Sequence, residues 1–459
     1  MATLDRRIVG GTLVDEDGVR QGDVGIARGR IVELYPPGAA PAADETTNAD
    51  GLLVFPGFVD SHFHCRAPGH PEREDFESGT AAAAAGGVTT VLEMPIADRG
   101  VHSASILRDR QHLGEAQARV DFGLWAGGGV AENVSEMASA GAIGFKIFLH
   151  DAPAGRELEF DGLCVSDTAA LQRSFRAIAA TGLPCAVHCE DNALVDDGIA
   201  LMRERGELGF LAHGRSRPPV VEAIAVSEVL VLAESEGVAL HLPHISTTWA
   251  LRLVREAKAR GQAVSLETCP HYLFADERAA EVYGPFAKIN PPLRSPDDAA
   301  ALRHGLQDGT VDLVASDHAP YTREEKERGW ADIFAAPSGS PGVETLGPLL
   351  IDHALRGAIG LPDVARLLAA APARRFRLLQ KGHIRSDGDA DLVLVDPRVE
   401  VSVDPHTMHT RSHESAQLFA GRRLLGGIVE TVVRGQSVYR AGQIVGLPGH
   451  GRFVTPPRL

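Results

Sequence analysis

His62 and His64 end the apolar run Leu52-Leu53-Val54-Phe55-Pro56-Gly57-Phe58-Val59-Asp60-Ser61-His62-Phe63-His64. In a β-strand, residues two apart project from the same face. The two imidazoles therefore aim at one point, as the first ligands of a divalent metal do. Further residues of ligand type close later apolar runs: His188 after Leu183-Pro184-Cys185-Ala186-Val187, His244 after Leu240-His241-Leu242-Pro243, and Asp317 after Val311-Asp312-Leu313-Val314-Ala315-Ser316. Lys146 is a lone cation inside the apolar run 142–149. An ammonium cannot ligate a metal, but burial favours the neutral amine. That amine adds carbon dioxide to give a carbamate, an anionic two-oxygen group able to bridge two metals. The plain alternative is an ion pair between Lys146 and Asp317.

Eight apolar runs carry this chemistry: 53–64, 88–95, 120–127, 142–149, 183–189, 238–245, 263–269 and 311–317. Stretches of helical composition lie between them, for example 74–86, 166–181, 219–237, 247–260 and 296–308. This alternation predicts an α/β protein with a parallel (β/α)8 TIM barrel, whose active site lies at the C-terminal strand ends. There His62, His64, Lys146, His188, His244 and Asp317 converge. Turn-punctuated strands at 7–34 and again at 390–445 predict a small β-sandwich domain formed by both termini. The expected division is 1–55 with 382–459 for that domain and 56–381 for the barrel. A Pro/Ala-rich stretch, 36–45, reads as a loop.

The 459 residues are 44% apolar and 23% charged, with a formal net charge of −16. That charge argues against nucleic acid and anionic membranes as partners. Five cysteines without a CxxC pair argue against a disulfide framework. The opening residues form no apolar signal core and no run reaches membrane-spanning length, so a cytoplasmic protein is expected.

In this order the residues resemble the amidohydrolase superfamily, and within it the cyclic amide hydrolases: dihydroorotases, allantoinases and hydantoinases. The resemblance rests on Pro56-Gly57-Phe58-Val59-Asp60-Ser61-His62-Phe63-His64, Glu74-Asp75-Phe76-Glu77-Ser78-Gly79-Thr80, Gly86-Gly87-Val88-Thr89-Thr90, Gly144-Phe145-Lys146, His188-Cys189-Glu190, His244-Ile245-Ser246, Asn290-Pro291-Pro292-Leu293-Arg294, Ser316-Asp317-His318-Ala319-Pro320 and the late Gly388-Asp389-Ala390-Asp391-Leu392-Val393. It implies two divalent ions, zinc being the best match to nitrogen and oxygen ligands. His62, His64 and Asp317 would hold one, His188 and His244 the other, with carbamylated Lys146 between them. Asp317 would carry the proton from the attacking water to the leaving ring nitrogen. The implied partner is a small cyclic amide or ureide, and the implied assembly a homodimer or homotetramer.

The residues bearing on the ring form a mosaic. Arg66 matches the dihydroorotase arginine that holds a carboxylate, a role suited to a guanidinium. Ile96 and Tyr321 stand where dihydroorotases carry Asn and His, and Asp151 stands where hydantoinases carry Tyr. The region 144–149 and Glu267-Thr268-Cys269 are similar to allantoinases. Arg66, Asn290, Tyr321 and His318 are the expected substrate contacts, His318 being placed either to touch substrate or to orient Asp317. His241, three residues before His244, is expected to face away from it, in the core or toward a helix, and Cys65 and Cys189 to serve packing. The run Arg323-Glu324-Glu325-Lys326-Glu327-Arg328 is expected to be a solvated helical face. A ring-opening hydrolase, allantoinase-like or dihydroorotase-like, is the leading reading, ahead of dihydroorotase proper or a hydantoinase. A mononuclear deaminase and a non-catalytic scaffold are the readings from other classes.

Overall fold

In the computed structural model, which describes residues 3–153 and 155–457, the apolar run leading to His62 is two strands rather than the single one expected at 53–64. Leu53–Pro56 pairs with Leu4–Asp15 and Leu392–Ser402 in the terminal sheet, whereas Phe58–Phe63 opens the barrel. Gly57 makes the step. A Cβ here would lie 2.1 Å from Thr89 Oγ1, well inside contact distance. Both strands are buried throughout, so their apolar pattern carries no mark of the change of sheet.

The barrel strands are Phe58–Phe63, Val88–Glu93, Asp121–Gly127, Gly144–Phe148, Cys185–His188, Leu240–Leu242, Val264–Thr268 and Leu313–Val314. Each pairs in parallel with the next. The first and last approach closure where His64 N donates to His318 O at 2.9 Å and Ser316 N to Asp60 Oδ1 at 2.9 Å. The helices expected after the strands include Phe76–Ala85, Thr168–Ala179, Pro219–Glu236, Thr248–Ala259 and Pro296–Asp308. Asp75, Asp167, Thr247 and Ser295 cap four of them by accepting a first-turn N–H, which satisfies donors the helix itself leaves free. Val59, Leu92, Trp125, Ile143 and Leu313 pack with Ala373, Phe376 and Leu378 in one apolar cluster. With the barrel interior filled this way, its polar strand-end residues gather at the open mouth.

Among the described residues the terminal sheet has nine strands. It runs from Gln443–Ile444 through Gln436–Arg440, Arg423–Val433, Leu392–Ser402, Leu53–Pro56, Leu4–Asp15 and Gly18–Ala27 to Arg30–Tyr35, with Ala43–Asn48 also pairing Leu4–Asp15. The Pro/Ala-rich stretch is thus a loop only up to Ala43. Beyond this sheet the chain returns to the barrel: Phe122 N donates to Arg452 O at 3.0 Å and Val454 N to Phe122 O at 2.8 Å. Asp121, Asp389 and Asp391 also converge, but Lys381 Nζ lies 2.5, 3.0 and 2.6 Å from them and Arg434 pairs with Asp121, so protein cations already occupy the group.

The reading of 323–328 as a solvated face is corrected in part. Arg323 and Glu327 do pair on the surface at 2.8 Å. Lys326, however, is fully buried, and its Nζ donates to Lys288 O, Pro337 O and Gly339 O at 2.9, 3.1 and 2.8 Å. Among the described residues, no helix is long and apolar enough to cross a membrane.

Candidate metal centre and substrate cavity

His62, His64, His188, His244 and Asp317 line one cavity at the barrel mouth, of about 90 Å³. His62 Nε2 and His64 Nε2 stand 3.4 and 3.7 Å from Asp317 Oδ1. His188 Nδ1 lies 3.2 Å from His244 Nε2, and the His62 and His244 rings are 5.1 Å apart. Lys146 comes from the fourth barrel strand, is fully buried, and its Nζ has no hydrogen-bond partner among the described residues. A separate cavity of about 440 Å³, lined by residues 210–219, 277–293 and Ile333, holds none of these groups.

Two of these residues sit in strained backbone. His244 and Asp317 have φ of 42° and 44°, as Arg66 beside them has 57°. Side chains with a Cβ seldom adopt this region, and such strain persists where surrounding structure enforces it. At His244 it explains why strand parity misleads. The sixth strand ends at Leu242, and the left-handed turn swings His244 to the cavity. His241 also points inward, to Ser265 Oγ at 2.8 Å and Glu267 Oε2 at 3.3 Å.

Buried carboxylates hold the imidazoles. Glu267 accepts from Ser61 Oγ at 2.5 Å and faces His62 Nδ1 at 3.1 Å. Glu190 faces His188 Nε2 at 2.9 Å and accepts from Arg217 Nη1 at 2.7 Å. Burial would raise both carboxyls, but the hydrogen bonds from His241 and His62 to Glu267, and Arg217 and His188 beside Glu190, hold them far below the usual range. As acceptors they keep the proton on His62 Nδ1 and His188 Nε2, leaving the opposite nitrogens with lone pairs toward the centre. Sequence reading assigned no such role to Glu267 or Glu190. The available signals were a lone acid in the apolar seventh strand and an acid two residues after His188.

Burial first, with Lys146 adding to it, lowers His62 to about 4 and His244 well below its ordinary value. Neutral imidazoles are the ligating form. Burial likewise drives the Lys146 ammonium down and the Asp317 carboxyl up, each toward neutrality and against the opposing pull of the other's charge. Convergent imidazoles, a carboxylate and an amine without a hydrogen-bond partner form a donor set that fits divalent cations.

Arg66, Asn290 and Tyr321 all line the cavity. Arg66 is 3% exposed, with Nε and Nη1 enclosed and lacking an acceptor among the described residues. His318 does not line it, and its reading as a substrate contact is corrected. Its ring stacks on Phe63 at 5.0 Å, Nδ1 accepts from Gly342 N at 3.2 Å, and Nε2 lies 3.4 Å from Glu74. At the end of the fourth strand the cavity residue is His150, while Asp151 turns away to accept from Ser166 Oγ at 2.8 Å. His150 and Arg156 were missed because both lie on a loop, where no periodicity marks the inward side. Cys65 and Cys189 are buried, and burial pushes both thiols up, away from the reactive thiolate.

A model of the amidohydrolase family matches residues 53–438. The chain is 36% identical to an allantoinase of Deinococcus radiodurans over 463 residues, covering 100% of each. It is 35% identical to a dihydroorotase of Geobacter sp. over 446 residues, 95% of this chain and 99% of the relative. Among solved structures it resembles the L-hydantoinase (dihydropyrimidinase) of Arthrobacter aurescens, with a TM-score of 0.93, 30% identity, and 99% and 100% of the two chains covered.

Proposed function

The chain belongs to the amidohydrolase family, and from that premise we propose that it is a metal-dependent hydrolase opening the ring of a small cyclic amide or ureide, allantoinase-like or dihydroorotase-like. The observation that carries this reading is the convergence of four histidines and Asp317 at one mouth with Lys146, a buried amine without a hydrogen-bond partner. His62, His64 and Asp317 would hold one divalent ion and His188 and His244 another, with the Lys146 carbamate between them. When bound, the ions, zinc by ligand type, supply an activated water and polarise the ring carbonyl. Lys146 enters as the neutral amine, adds carbon dioxide and releases one proton.

The residues of the chain do the rest. Asp317, 3.4 Å from His62 Nε2, accepts the proton of the attacking water on a carboxylate oxygen. It delivers that proton to the ring nitrogen as the C–N bond breaks. Glu267 and Glu190 keep the imidazoles in one tautomer. Arg66 faces the ring substituent, and Asn290 offers an amide whose buried Oδ1 has no partner among the described residues. Ile96 and Phe148 supply apolar wall.

The test is a panel of rings (dihydroorotate, allantoin, hydantoins and dihydrouracil) offered to zinc-reconstituted protein with bicarbonate present. Ring opening of at least one, lost on metal removal and restored on return, is expected. Metal-replete folded protein that opens none would leave the scaffold reading standing. The fold similarity to hydantoinases keeps hydantoins on the panel, although the position of the hydantoinase tyrosine is taken here by the outward-turned Asp151.

A further inference from the structure

We propose that Lys326 is a positioning residue for the substrate cavity: its buried ammonium pins the loop after the eighth barrel strand to the segment carrying Asn290, and so sets the spacing of two cavity walls. The inference rests on the ring-opening reading above and adds to it a residue that lies outside the cavity.

Lys326 belongs to the helix Arg323–Glu327 and does not itself line the cavity. Its Nζ donates to Lys288 O at 2.9 Å, Pro337 O at 3.1 Å and Gly339 O at 2.8 Å. The last two acceptors flank Ser338, and both Ser338 and Gly339 line the cavity. The first belongs to the residue two before Asn290, which lines it as well. Lys288 O also accepts from Gly339 N at 3.0 Å, so one carbonyl joins the two segments. From its own side chain, Lys288 Nζ donates to Ile333 O at 2.9 Å and Ala336 O at 2.5 Å. Two lysines thus hold four carbonyls between 333 and 339, a stretch with neither strand nor α-helix.

Such a stretch leaves its carbonyls without the partners a helix or sheet supplies, and a buried acceptor left open costs about 1–3 kcal/mol. An ammonium has three N–H donors, and the three carbonyls use all of them. A neutral amine has two and would leave one carbonyl open. Burial, then the neighbouring Lys288 charge, push the Lys326 pKa down. Among the described residues no carboxylate pairs with its Nζ, so the converging carbonyl dipoles are what favour its charge. The pinned loop is also seated closely on the next wall. Gly339 has φ 149°, and a Cβ there would lie 2.6 Å from Ala319 O and 2.9 Å from Tyr321 Cε2. Ala319 N donates to Ser340 O at 3.1 Å. A shift of the loop therefore disturbs Ser338, Gly339, Ala319 and Tyr321 together, while the metal donors stay on their own strand ends.

Lys326→Met keeps the length of the side chain and removes its donors. Bound zinc, steady-state kinetics on a ring that wild type opens, and hydrogen exchange of the 333–341 amides are measured on both proteins. The expected variant keeps the wild-type zinc content and exchanges its Gly339 amide faster. Its KM rises about tenfold or more while kcat stays within about threefold. Lys288→Met frees the same loop at Ile333 and Ala336; it should raise KM in the same direction, and it keeps the test open if Lys326→Met does not fold. Val24→Ala, a truncation in the apolar cluster of the terminal sheet, controls for lost stability and should leave KM at its wild-type value.

Unchanged KM or unchanged exchange at 333–341 in a folded variant overturns the pin. So does loss of zinc, which would place the effect at the metal centre, or an equal rise of KM in Val24→Ala at equal loss of melting temperature. Wild-type protein that opens no ring overturns the ring-opening reading, and exchange then decides the pin by itself.

Discussion

Replacing Glu267 by Gln removes one oxygen from a fully buried acceptor that serves three donors: Ser61 Oγ at 2.5 Å, His62 Nδ1 at 3.1 Å and His241 Nε2 at 3.3 Å. A glutamine presents one acceptor oxygen and a donating NH2. At least one of the three groups must then face a donor or flip its tautomer. An orphaned buried donor costs about 1–3 kcal/mol. If His62 yields, its proton moves to Nε2, the nitrogen 3.4 Å from Asp317, and its lone pair turns away from the centre. Loss of such an orienting carboxylate weakens metal affinity by about 10–100-fold, or about 1.4–2.7 kcal/mol. Zinc affinity is read by competition with a chromophoric chelator, and melting is followed with and without metal. Weaker zinc binding in Glu267→Gln and a lower melting temperature without metal are expected. A folded variant with wild-type zinc affinity would refute the role assigned to Glu267.

Lys146→Ala should lower bound metal from about two ions per chain to about one or fewer and abolish ring opening, since the group proposed to bridge the ions is gone; retained activity with one ion would favour the mononuclear reading. Gly57→Ala drives a Cβ onto Thr89 and should cost about 1–3 kcal/mol or more as overpacking, seen as a lower melting temperature that Thr89→Ala restores in part. No rescue would mean that Gly57 is needed for another reason. His409, 23% exposed, is raised above its ordinary value chiefly by its hydrogen bond to Glu344, at 3.0 Å. Its charged form is favoured in the folded state, so this stability is complete below pH ~6.5 and fades as pH rises through the folded pKa. The melting difference between wild type and Glu344→Gln should therefore shrink from acid toward alkaline pH, and growth in that direction would contradict the assignment.

Much of the architecture was legible because it depends on neighbours along the chain. A strand turns residues two apart to one face, which made His62 and His64 a pair, and eight apolar runs alternating with helical stretches pointed to a parallel barrel. The oddity of Lys146 in an apolar run, and of His188 and Asp317 at run ends, follows from the same local reading. What stayed hidden depends on partners far away in sequence. Gly57 divides one apolar run between two sheets because Thr89 crowds it, and no periodicity marks that. His244 reaches the cavity through a left-handed turn past the strand end, so the parity that set it apart from His241 does not hold. Lys326 looks like one more charge on a solvated helix until Lys288, Pro337 and Gly339 surround it with carbonyls. The proton position on His62 depends on Glu267, some two hundred residues away. Sequence by itself determined the barrel and the donor types; tertiary structure decided their tautomers, their strain and the partners that hold them. Residue type and local periodicity are properties of the chain, whereas hydrogen-bond partners and electrostatic balance exist only between segments that folding brings together.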